Sequence, residues 1–198
     1  MKKSIYIISL VVLFNLQFIK AQQTPAPKQI KTISIVGATA HIGNGNIIEN
    51  SVIVFENGII TQIGPANSGL KDGKIIDAKN KHVYPGFILT NSTLGLAEIG
   101  AVRATRDFDE VGGMLPHIRS LIAYNAESKV TESMRPNGIL IGQIAPRGGV
   151  ISGTSSIVQF DAWNWEDAAI KINDGIHLNW PNNVKWDRKT KKIEPNKK

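Results

Sequence analysis

A polar pair, Asn91 and Thr93, follows the apolar run that ends at Leu89 in the stretch "YPGFILTNSTLG". The apolar run predicts a strand, and alternate residues of a strand point to the same side. Both side chains carry neutral oxygens, which suit a hard cation or a metal-free ligand pocket, but not zinc or iron. The alternative is that the two side chains only satisfy polar groups at the end of the strand.

An acidic cluster forms a second candidate site, with Asp107, Asp109 and Glu110 close together in "RDFDEVG". Clustered carboxylates bind Ca²⁺ or Mg²⁺ through their oxygens. The alternative is a solvated loop whose charge is balanced by Arg103 and Arg106.

Two other segments have compositions that suit a ligand. The Gly- and Ser-rich stretch 147–156, "RGGVISGTSS", has backbone amides that suit an anion, but a turn leading into a strand is the alternative. It lacks the Gly-Lys-Ser/Thr ending of a phosphate loop. The stretch "WNWEDAA" places two tryptophans near two acids, which suits stacking on a sugar or a partner, or packing in the fold.

Imidazoles are few, and thiols are absent. We expect all four histidines to be structural or on the surface, with His117 on a helix and His177 in a hairpin; the others are His41 and His82. No cysteine is present, so the chain has neither disulfides nor thiolate ligands. No residue is predicted to be catalytic.

The formal net charge of +7 lies at the ends of the chain. Residues 1–21 carry +3, residues 22–184 carry −1, and residues 185–198 carry +5. The body has no basic face, so we expect no nucleic-acid partner. The basic tail is predicted to be solvated, with contact to anionic lipid or RNA as the alternative.

The N-terminus has the layout of a secretory signal peptide, with Lys2 and Lys3, an apolar run over 5–18, and Ala21 before Gln22. It predicts cleavage after Ala21 and a periplasmic or secreted protein with no stable membrane anchor. An uncleaved N-terminal anchor is the alternative.

Residues 32–88 predict a small antiparallel β-unit. A strand over 32–43 is followed by the clearest local signal, "SVIVFENGIITQIGP" (51–65), in which Asn57-Gly58 supplies the positive φ angles of a tight hairpin. Two more short strands are predicted within 74–88.

Residues 96–181 mix helical and strand patterns. A helix is predicted where Leu115, Ile118, Leu121 and Ile122 recur at helical spacing, and a second helix begins at the cap Ser128 and ends at Pro136 and Gly138. The apolar run 138–146 predicts a buried strand, 148–163 a further strand, and 169–181 a hairpin that turns at Asn173-Asp174-Gly175.

Three stretches resemble the amidohydrolase superfamily, specifically its imidazolonepropionase-like, exported bacterial branch. "GATAHIGNGNIIENSVIVFENGIITQIGP" resembles the family's opening β-unit, and "KIIDAKNKHVYPGFI" resembles its "IDA-x-G-K-x-V-x-PGFID" segment. "TNSTLG" then stands where the family has "THTHLG". The resemblance covers 32–95 well and 96–181 only loosely.

The resemblance implies a composite β-sandwich on a (β/α)8 barrel, with one or two divalent metals such as zinc that activate water against a non-peptide C–N bond. The family's H-x-H metal ligands correspond to Asn91 and Thr93, and its preceding Asp to Leu89. We therefore expect no metal cofactor and no catalysis for this chain. The 110 residues after Ile88 are too few for a barrel of about 250 residues.

The resulting prediction is an α/β protein with an N-terminal antiparallel β-unit, an amidohydrolase-like sandwich and an incomplete barrel. Its regions are a signal peptide (1–21), a linker (22–31), the sandwich unit (32–88), the start of a barrel or an inserted α/β elaboration (89–184), and the basic tail. By resemblance it is a C–N hydrolase, inactive as this chain. Under this reading the chain is a fragment of a longer gene product, whose C-terminal part would complete it, or a remnant. The alternative is an exported binding or assembly protein on the same scaffold, in which a second polypeptide completes the barrel. An incomplete barrel is also expected to leave the strand at 138–146 with an unpaired edge.

Overall fold

The computed structural model describes residues 24–68 and 73–196, so the predicted signal peptide lies outside the described residues. The strands are β1 Ile33–His41, β2 Ile47–Glu56, β3 Ile59–Pro65, β4 Lys74–Asp77, β5 His82–Val83, β6 Phe87–Ser92, β7 Ile139–Ile144, β8 Ile151–Gln159, β9 Ala169–Leu178, β10 Val184–Asp187 and β11 Lys192–Pro195. The α-helices are α1 Lys129–Met134 and α2 Trp165–Ala168, and short 3₁₀ helices cover Ala66–Ser68, Arg103–Thr105, Ser120–Ala123 and Arg135–Asn137.

The first five strands form the N-terminal sheet. Strands β1, β2 and β3 are antiparallel neighbours, as the sequence predicts. Strands β4 and β5, however, both pair with the other edge of β1 in parallel, so the prediction of a wholly antiparallel unit is wrong. The chain crosses from β3 at one edge to β4 at the other, and such a crossover gives a parallel pair where a tight turn would give an antiparallel one.

The tight hairpin between β2 and β3 is confirmed. Asn57 and Gly58 have φ angles of 51° and 76°, the combination that a two-residue turn between twisted antiparallel strands requires. The side chain of Gln29 holds this turn in place: its Nε2 donates to the carbonyl of Phe55 at 2.7 Å, and its Oε1 accepts from the amide of Gly58 at 2.8 Å.

Four isoleucines lie in register across the N-terminal sheet. Ile35 of β1 lies opposite Ile53 of β2 and Ile76 of β4, and Ile53 lies opposite Ile63 of β3. Ile53 is 7 % exposed, whereas Ile63 and Ile76 on the outer strands are 42 % and 39 % exposed. Burial therefore concentrates on the central strands of this sheet.

Helix α1 begins and ends where the sequence predicts. The Ser128 hydroxyl accepts from the amide of Thr131 at 3.5 Å and donates to Glu98 at 3.0 Å. After α1 the chain continues into the 3₁₀ turn that contains Pro136, and Gly138 then ends it with a φ of 82°. A left-handed glycine is the usual residue at such an end.

The predicted helix around Leu115–Ile122 is wrong, apart from the 3₁₀ turn at Ser120–Ala123. The segment runs beside β8 instead, through isolated bridges Met114↔Ile151 and Arg119↔Thr154. Pro116 disfavours helix at the residue before it, and β8 offers backbone partners. His117 therefore lies in a turn and not on a helix.

Strands β6 to β9 form the second sheet in their chain order. Strand β7 pairs in parallel with β6 and antiparallel with β8, so both of its edges are occupied and the expectation of an unpaired edge there is wrong. The outer strands of this sheet are β6 and β9. The only parallel pair in it is β6–β7, the arrangement a barrel of the predicted type uses.

The predicted hairpin over 169–181 is also wrong, because β9 is one strand along β8 with a bulge. Ser155 lies opposite Gly175, and Ile157 lies opposite Lys171. Strand β9 therefore contains two extra residues between these two pairs. Asn173, with a φ of 52°, lies within the bulge and donates its amide to the Ser156 hydroxyl at 3.1 Å. The Asn-Asp-Gly sequence supplies left-handed backbone geometry here, but within a strand.

The main hydrophobic core lies on the second sheet, where buried side chains of β7 and β8 meet the loops that follow β6 and β8. Its members are Leu96, Leu121, Tyr124, Ile144, Val158, Phe160, Ala162 and Ala168. Gly142 of β7 allows the Phe160 ring to lie against the strand, since a Cβ there would come within 2.5 Å of the ring.

Within the basic tail, the residues up to Pro195 belong to the hairpin β10–β11, whose side chains are mostly exposed. Asp187 Oδ1 accepts from the Lys189 amide at 2.7 Å and supports its turn. Within 24–68 and 73–196, no helix combines the length and the apolarity that crossing a bilayer requires. The described part of the chain is thus mostly β-sheet, in several sheets with short helices; the sandwich and the barrel stay predictions.

Candidate functional site: a polar cluster around Asn91

Asn91 lies near the end of β6, at a bulge. Leu89 lies opposite Gly142 of β7 and Ser92 opposite Ile144, so β6 contains one extra residue between these pairs. Asn91 adopts a φ of 51°, and asparagine is among the few residues that accept this left-handed geometry. The bulge interrupts the alternation of side chains, so the assumption that Asn91 and Thr93 share one side by simple strand alternation does not apply here.

The guanidinium of Arg147 grips Asn91 with two nitrogens. Nη1 donates to the Asn91 side-chain oxygen at 2.5 Å, and Nη2 donates to the Asn91 carbonyl at 2.6 Å. Hydrogen bonds from a charged donor are roughly twice as strong as neutral ones, and a two-point contact also fixes orientation. Asn91 therefore has both of its oxygens directed at a resident positive charge.

The position of Arg147 is set by the pairing of β6 with β7. The Ala145 amide donates to the Ser92 carbonyl at 2.8 Å, and buried Pro146 leads directly to Arg147. The Arg147 amide then donates to the Phe108 carbonyl at 2.6 Å. The backbone of Arg147 is held on both sides, and its half-buried side chain reaches back to Asn91.

Gln143 of β7 links Asn91 to the neighbouring strands. Its Oε1 accepts from the Asn91 amide at 3.1 Å, and its Nε2 donates to Asp174 Oδ2 at 2.7 Å. The hydroxyl of Ser155, on β8, donates to Asp174 Oδ1 at 2.7 Å. We call these residues the Asn91 cluster: Asn91, Gln143, Arg147, Ser155 and Asp174.

The bulge in β9 supplies Asp174 to this cluster. Because β9 contains extra residues opposite Ser155 and Ile157, Asp174 reaches Gln143 and Ser155 instead of facing away along a regular strand. The neighbouring Asn173 faces a different pair, accepting from Thr154 at 3.2 Å and from Arg119 at 3.3 Å.

His177 lies in the electrostatic field of the cluster. Partial burial lowers the pKa of His177 from the usual 6.5, and the positive charge of Arg147 lowers it further, while Asp174 opposes this effect. The imidazole is therefore held neutral to lower pH than an ordinary histidine. His177 pairs with Gly153 across β8–β9, in the strand that was predicted as a hairpin.

The described residues do not fit the metal site that the resemblance implies. The Asn91 oxygens already accept from Arg147, and a guanidinium beside them opposes a second cation. An amide oxygen is also a poor replacement for an imidazole as a zinc ligand. Within the described ranges, no group of three or more His, Cys, Asp and Glu side chains is arranged to hold a metal ion.

Thr93 and Leu89, the other positions carried over from the resemblance, stay outside the hydrogen bonds of the cluster. The Thr93 carbonyl accepts from the Leu96 amide at 2.9 Å in the turn after β6. Leu89 pairs with Gly142 and is half-buried.

The other candidate residues lie elsewhere. Asp107, Asp109 and Glu110 do not form a metal-binding group by the same test. His41 Nε2 lies 3.0 Å from His82 Nδ1, and the His41 ring stacks on Tyr84 with ring centres 4.2 Å apart, all in the N-terminal sheet.

The Gly- and Ser-rich stretch leads into β8, and the tryptophan stretch contains the cap of α2. In the first, Asn179 donates to the carbonyls of Gly148 and Gly149 at 3.1 and 3.0 Å, which ties the turn to the end of β9. In the second, Asn164 caps α2 by accepting from the Asp167 amide at 2.8 Å, while the Trp163 side chain is 61 % exposed.

Four of the five members of the cluster were not identified as site residues from the sequence. Gln143 is the polar residue in the apolar run "ILIGQIAP", and a lone polar residue in such a run is a signal that could have been used. Asp174 was assigned to a hairpin turn and Ser155 to a plain strand. Arg147 was noted only as the first residue of a glycine-rich turn, because its contact with Asn91 depends on the pairing of distant strands.

Comparison with known proteins agrees with this architecture. No protein-family model matches the chain. An imidazolonepropionase from Clostridium tetani (strain Massachusetts / E88) is 44 % identical over 52 residues, which cover 24 % of this chain and 12 % of that protein. The crystal structure of an amidohydrolase from Thermotoga maritima MSB8 superposes with a TM-score of 0.70 and 24 % identity, over 76 % of this chain and 39 % of that one.

The chain thus spans well under half the length of either protein. The structural likeness is one of fold, and the stretch of higher identity gives the relationship in sequence. The chain therefore shares its fold with that amidohydrolase over the superposed residues and is similar in sequence to the imidazolonepropionase over 52 residues.

Proposed function

We propose that the Asn91 cluster binds an amide-containing small molecule, on a scaffold of the C–N hydrolase type, without metal-activated hydrolysis. One observation carries the proposal: donors and an acceptor converge where β6 and β7 end. Of the five N–H groups of Arg147, two bind Asn91 and the others suit an amide carbonyl. Gln143 and Asp174 are bonded to each other at 2.7 Å, and a ligand amide would replace that bond on both sides. The ligand class is taken from the related hydrolases.

Hydrolysis in such a scaffold depends on lowering the pKa of water. A bound metal lowers it from 15.7 to about 7, so that hydroxide exists at neutral pH. The Asn91 side chain is hydrogen-bonded to Arg147, and the cluster has no comparable means of making hydroxide. Without a bound metal, the attacking hydroxide is about eight orders of magnitude scarcer. The proposed role is therefore recognition and not turnover.

Thermal-shift titration of the purified chain with hydantoin, a γ-lactam and an acetylated dipeptide tests this role, alongside an activity screen with added Zn²⁺, Fe²⁺ and Mn²⁺. We expect the melting temperature of the native chain to rise with ligand concentration. In Gln143→Leu the apparent affinity derived from this rise should be at least tenfold weaker. Gln159→Leu is the matched control, because Gln159 of β8 donates to the Asp167 carbonyl outside the cluster. Metal-dependent turnover that disappears in Asn91→Ala contradicts the proposal.

A second candidate function, assembly with another polypeptide, is favoured by the outer strand β6. Phe87 and Ile88 on this strand are 66 % and 63 % exposed. An outer strand with exposed apolar side chains recruits a further strand, from a partner or from further residues of the same protein. Size-exclusion chromatography with light scattering distinguishes the two roles. A native chain that is oligomeric and becomes monomeric in Ile88→Lys supports assembly. A monomer for both the native chain and Ile88→Lys contradicts it.

Export is proposed on the N-terminal sequence alone. The Lys2–Lys3 pair, the apolar run and Ala21 predict a mature chain that begins at Gln22, in the periplasm or outside the cell. Mass spectrometry of the protein from its native host tests this proposal, and a retained Met1 contradicts it.

A further inference from the structure

The positive charge of Arg147 lies on the strand end where the resemblance implies the first metal ligands. Its two terminal nitrogens contact both oxygens of Asn91. A guanidinium is a positively charged group with five N–H donors. The site therefore contains a cation that the protein itself provides.

The support for this arrangement is structural on both sides of the contact. On the Asn91 side, the bulge and the left-handed backbone direct the carbonyl and the side-chain oxygen to the same guanidinium. On the Arg147 side, the bond from Ala145 to Ser92 and the bond from Arg147 to Phe108 fix the backbone.

We propose that Arg147 is an internal substitute for the metal ion, and that it closes this strand end to divalent cations. Two obstacles then stand between this chain and metal binding: the side chains at 91 and 93 lack imidazoles, and the guanidinium already binds both oxygens of Asn91 and places a positive charge beside them. Restoring the imidazoles alone leaves the second obstacle. The inference deepens the proposed function but does not require the amide ligand, since it concerns metal affinity only.

The test is a set of full-length variants titrated with Zn²⁺ by isothermal calorimetry at pH 7. All carry His82→Gln, because the facing imidazoles of His41 and His82 otherwise provide a second pair of nitrogen ligands. Onto this background we place Asn91→His with Thr93→His, Arg147→Met, and the three changes together. The melting temperature of each variant with and without Zn²⁺ is a second readout.

We expect the double histidine variant to bind Zn²⁺ no better than its background, and the triple variant to bind at least tenfold more tightly than the double. A triple variant with Arg147→Lys, which keeps the positive charge, should bind like the double. If the Met variants do not fold, Arg147→Gln replaces them, because it retains a donor for the backbone carbonyl of residue 91.

Two results overturn the inference: a double histidine variant that binds Zn²⁺ as tightly as the triple, or a folded triple variant that binds no better than its background. Failure of the proposed amide binding is seen separately, since the thermal-shift titration of the native chain contains no added metal. The two proposals can therefore fail independently.

Discussion

The N-terminal sheet and the second sheet divide the chemistry of this chain in an unexpected way. The N-terminal sheet contains the close imidazole pair, His41 and His82, with Tyr84 stacked beside it. The second sheet contains the strand end where the resemblance implies imidazoles, and there the chain has an amide held by a guanidinium. Nitrogen ligands are thus present in the molecule, but in a different sheet from the positions that correspond to the family's site.

The two sheets also differ in how they are built. The first three strands are joined by short connections, and the Asn57-Gly58 turn fixes the register between β2 and β3. The second sheet brings β6 beside β7 across the whole segment from Thr93 to Gly138, and its core depends on side chains from that segment. The second sheet therefore depends mainly on the packing of distant side chains, whereas the N-terminal sheet depends mainly on local turn geometry.

The largest expected effect is loss of the core beneath the second sheet. Leu121 is fully buried among the core residues, so Leu121→Ala should lower the free energy of unfolding by about 3 kcal/mol. Its neighbour Ile122 is 57 % exposed, and Ile122→Ala should cost less than about 1 kcal/mol. Urea unfolding measures both; equal costs would mean that this packing does not hold the second sheet.

A matched pair of glycines compares the two sheets directly. Gly58 and Gly95 have nearly the same φ, 76° and 74°, but a Cβ at Gly58 meets open space while one at Gly95 would lie 2.3 Å from the Tyr124 ring. Gly58→Ala should cost about 1 kcal/mol from backbone strain alone. Gly95→Ala adds overpacking of about 1–3 kcal/mol. Chemical denaturation measures the difference, and equal costs contradict the packing account of the second sheet.

Burial of Tyr124 in the same core should make the folded state less stable at alkaline pH. Burial raises the pKa of Tyr124 from 10.0 to about 12, with a small opposing effect from Thr131. Between these two values the unfolded chain has lost the proton that the folded chain retains, so stability falls as pH rises above 10. Urea midpoints from pH 8 to 11.5 should fall less in Tyr124→Phe than in the native chain. Tyr84→Phe, at an exposed ring, is the control and should behave like the native chain.

The smallest expected effect is the titration of His177. Partial burial and the Arg147 charge hold the pKa of His177 below 6.5, so the unfolded chain binds a proton first and stability falls as pH falls below 6.5. Arg147→Met should raise the pKa of His177 toward 6.5, as measured by NMR of the imidazole ring. Arg119→Met removes a contact to Asn173 and should leave this titration unchanged. If the pKa of His177 is unchanged in Arg147→Met, the Arg147 charge does not act on this imidazole and the prediction is wrong.

Sequence reasoning succeeded where local chemistry decides the structure. Asn57-Gly58, Ser128 and Gly138 each favour one backbone geometry, and each marks the turn or helix end that the structure contains. It failed where a distant strand overrides a local pattern. The helical spacing near Leu121 predicts a helix, but this segment pairs with β8 instead. The turn sequence at Asn173 predicts a hairpin, but it forms a bulge within β9.

The candidate site shows the same division. Asn91 was identified because its position follows a recognisable segment, and the deficit of imidazoles could be deduced from the sequence. The partners that define the site, Arg147, Gln143 and Asp174, come from β9 and from β7 with the residues just after it. Their meeting depends on strand pairing and on two bulges, which periodicity does not show.

One measurement tests the central claim most directly: anomalous X-ray diffraction at the zinc edge from crystals of the native chain soaked in Zn²⁺. We expect no anomalous peak within about 2.2 Å of the Asn91 or Thr93 oxygens, with both terminal nitrogens of Arg147 still bound to Asn91. A peak at that distance, with the guanidinium displaced from Asn91, would contradict the claim that Arg147 takes the place of the metal.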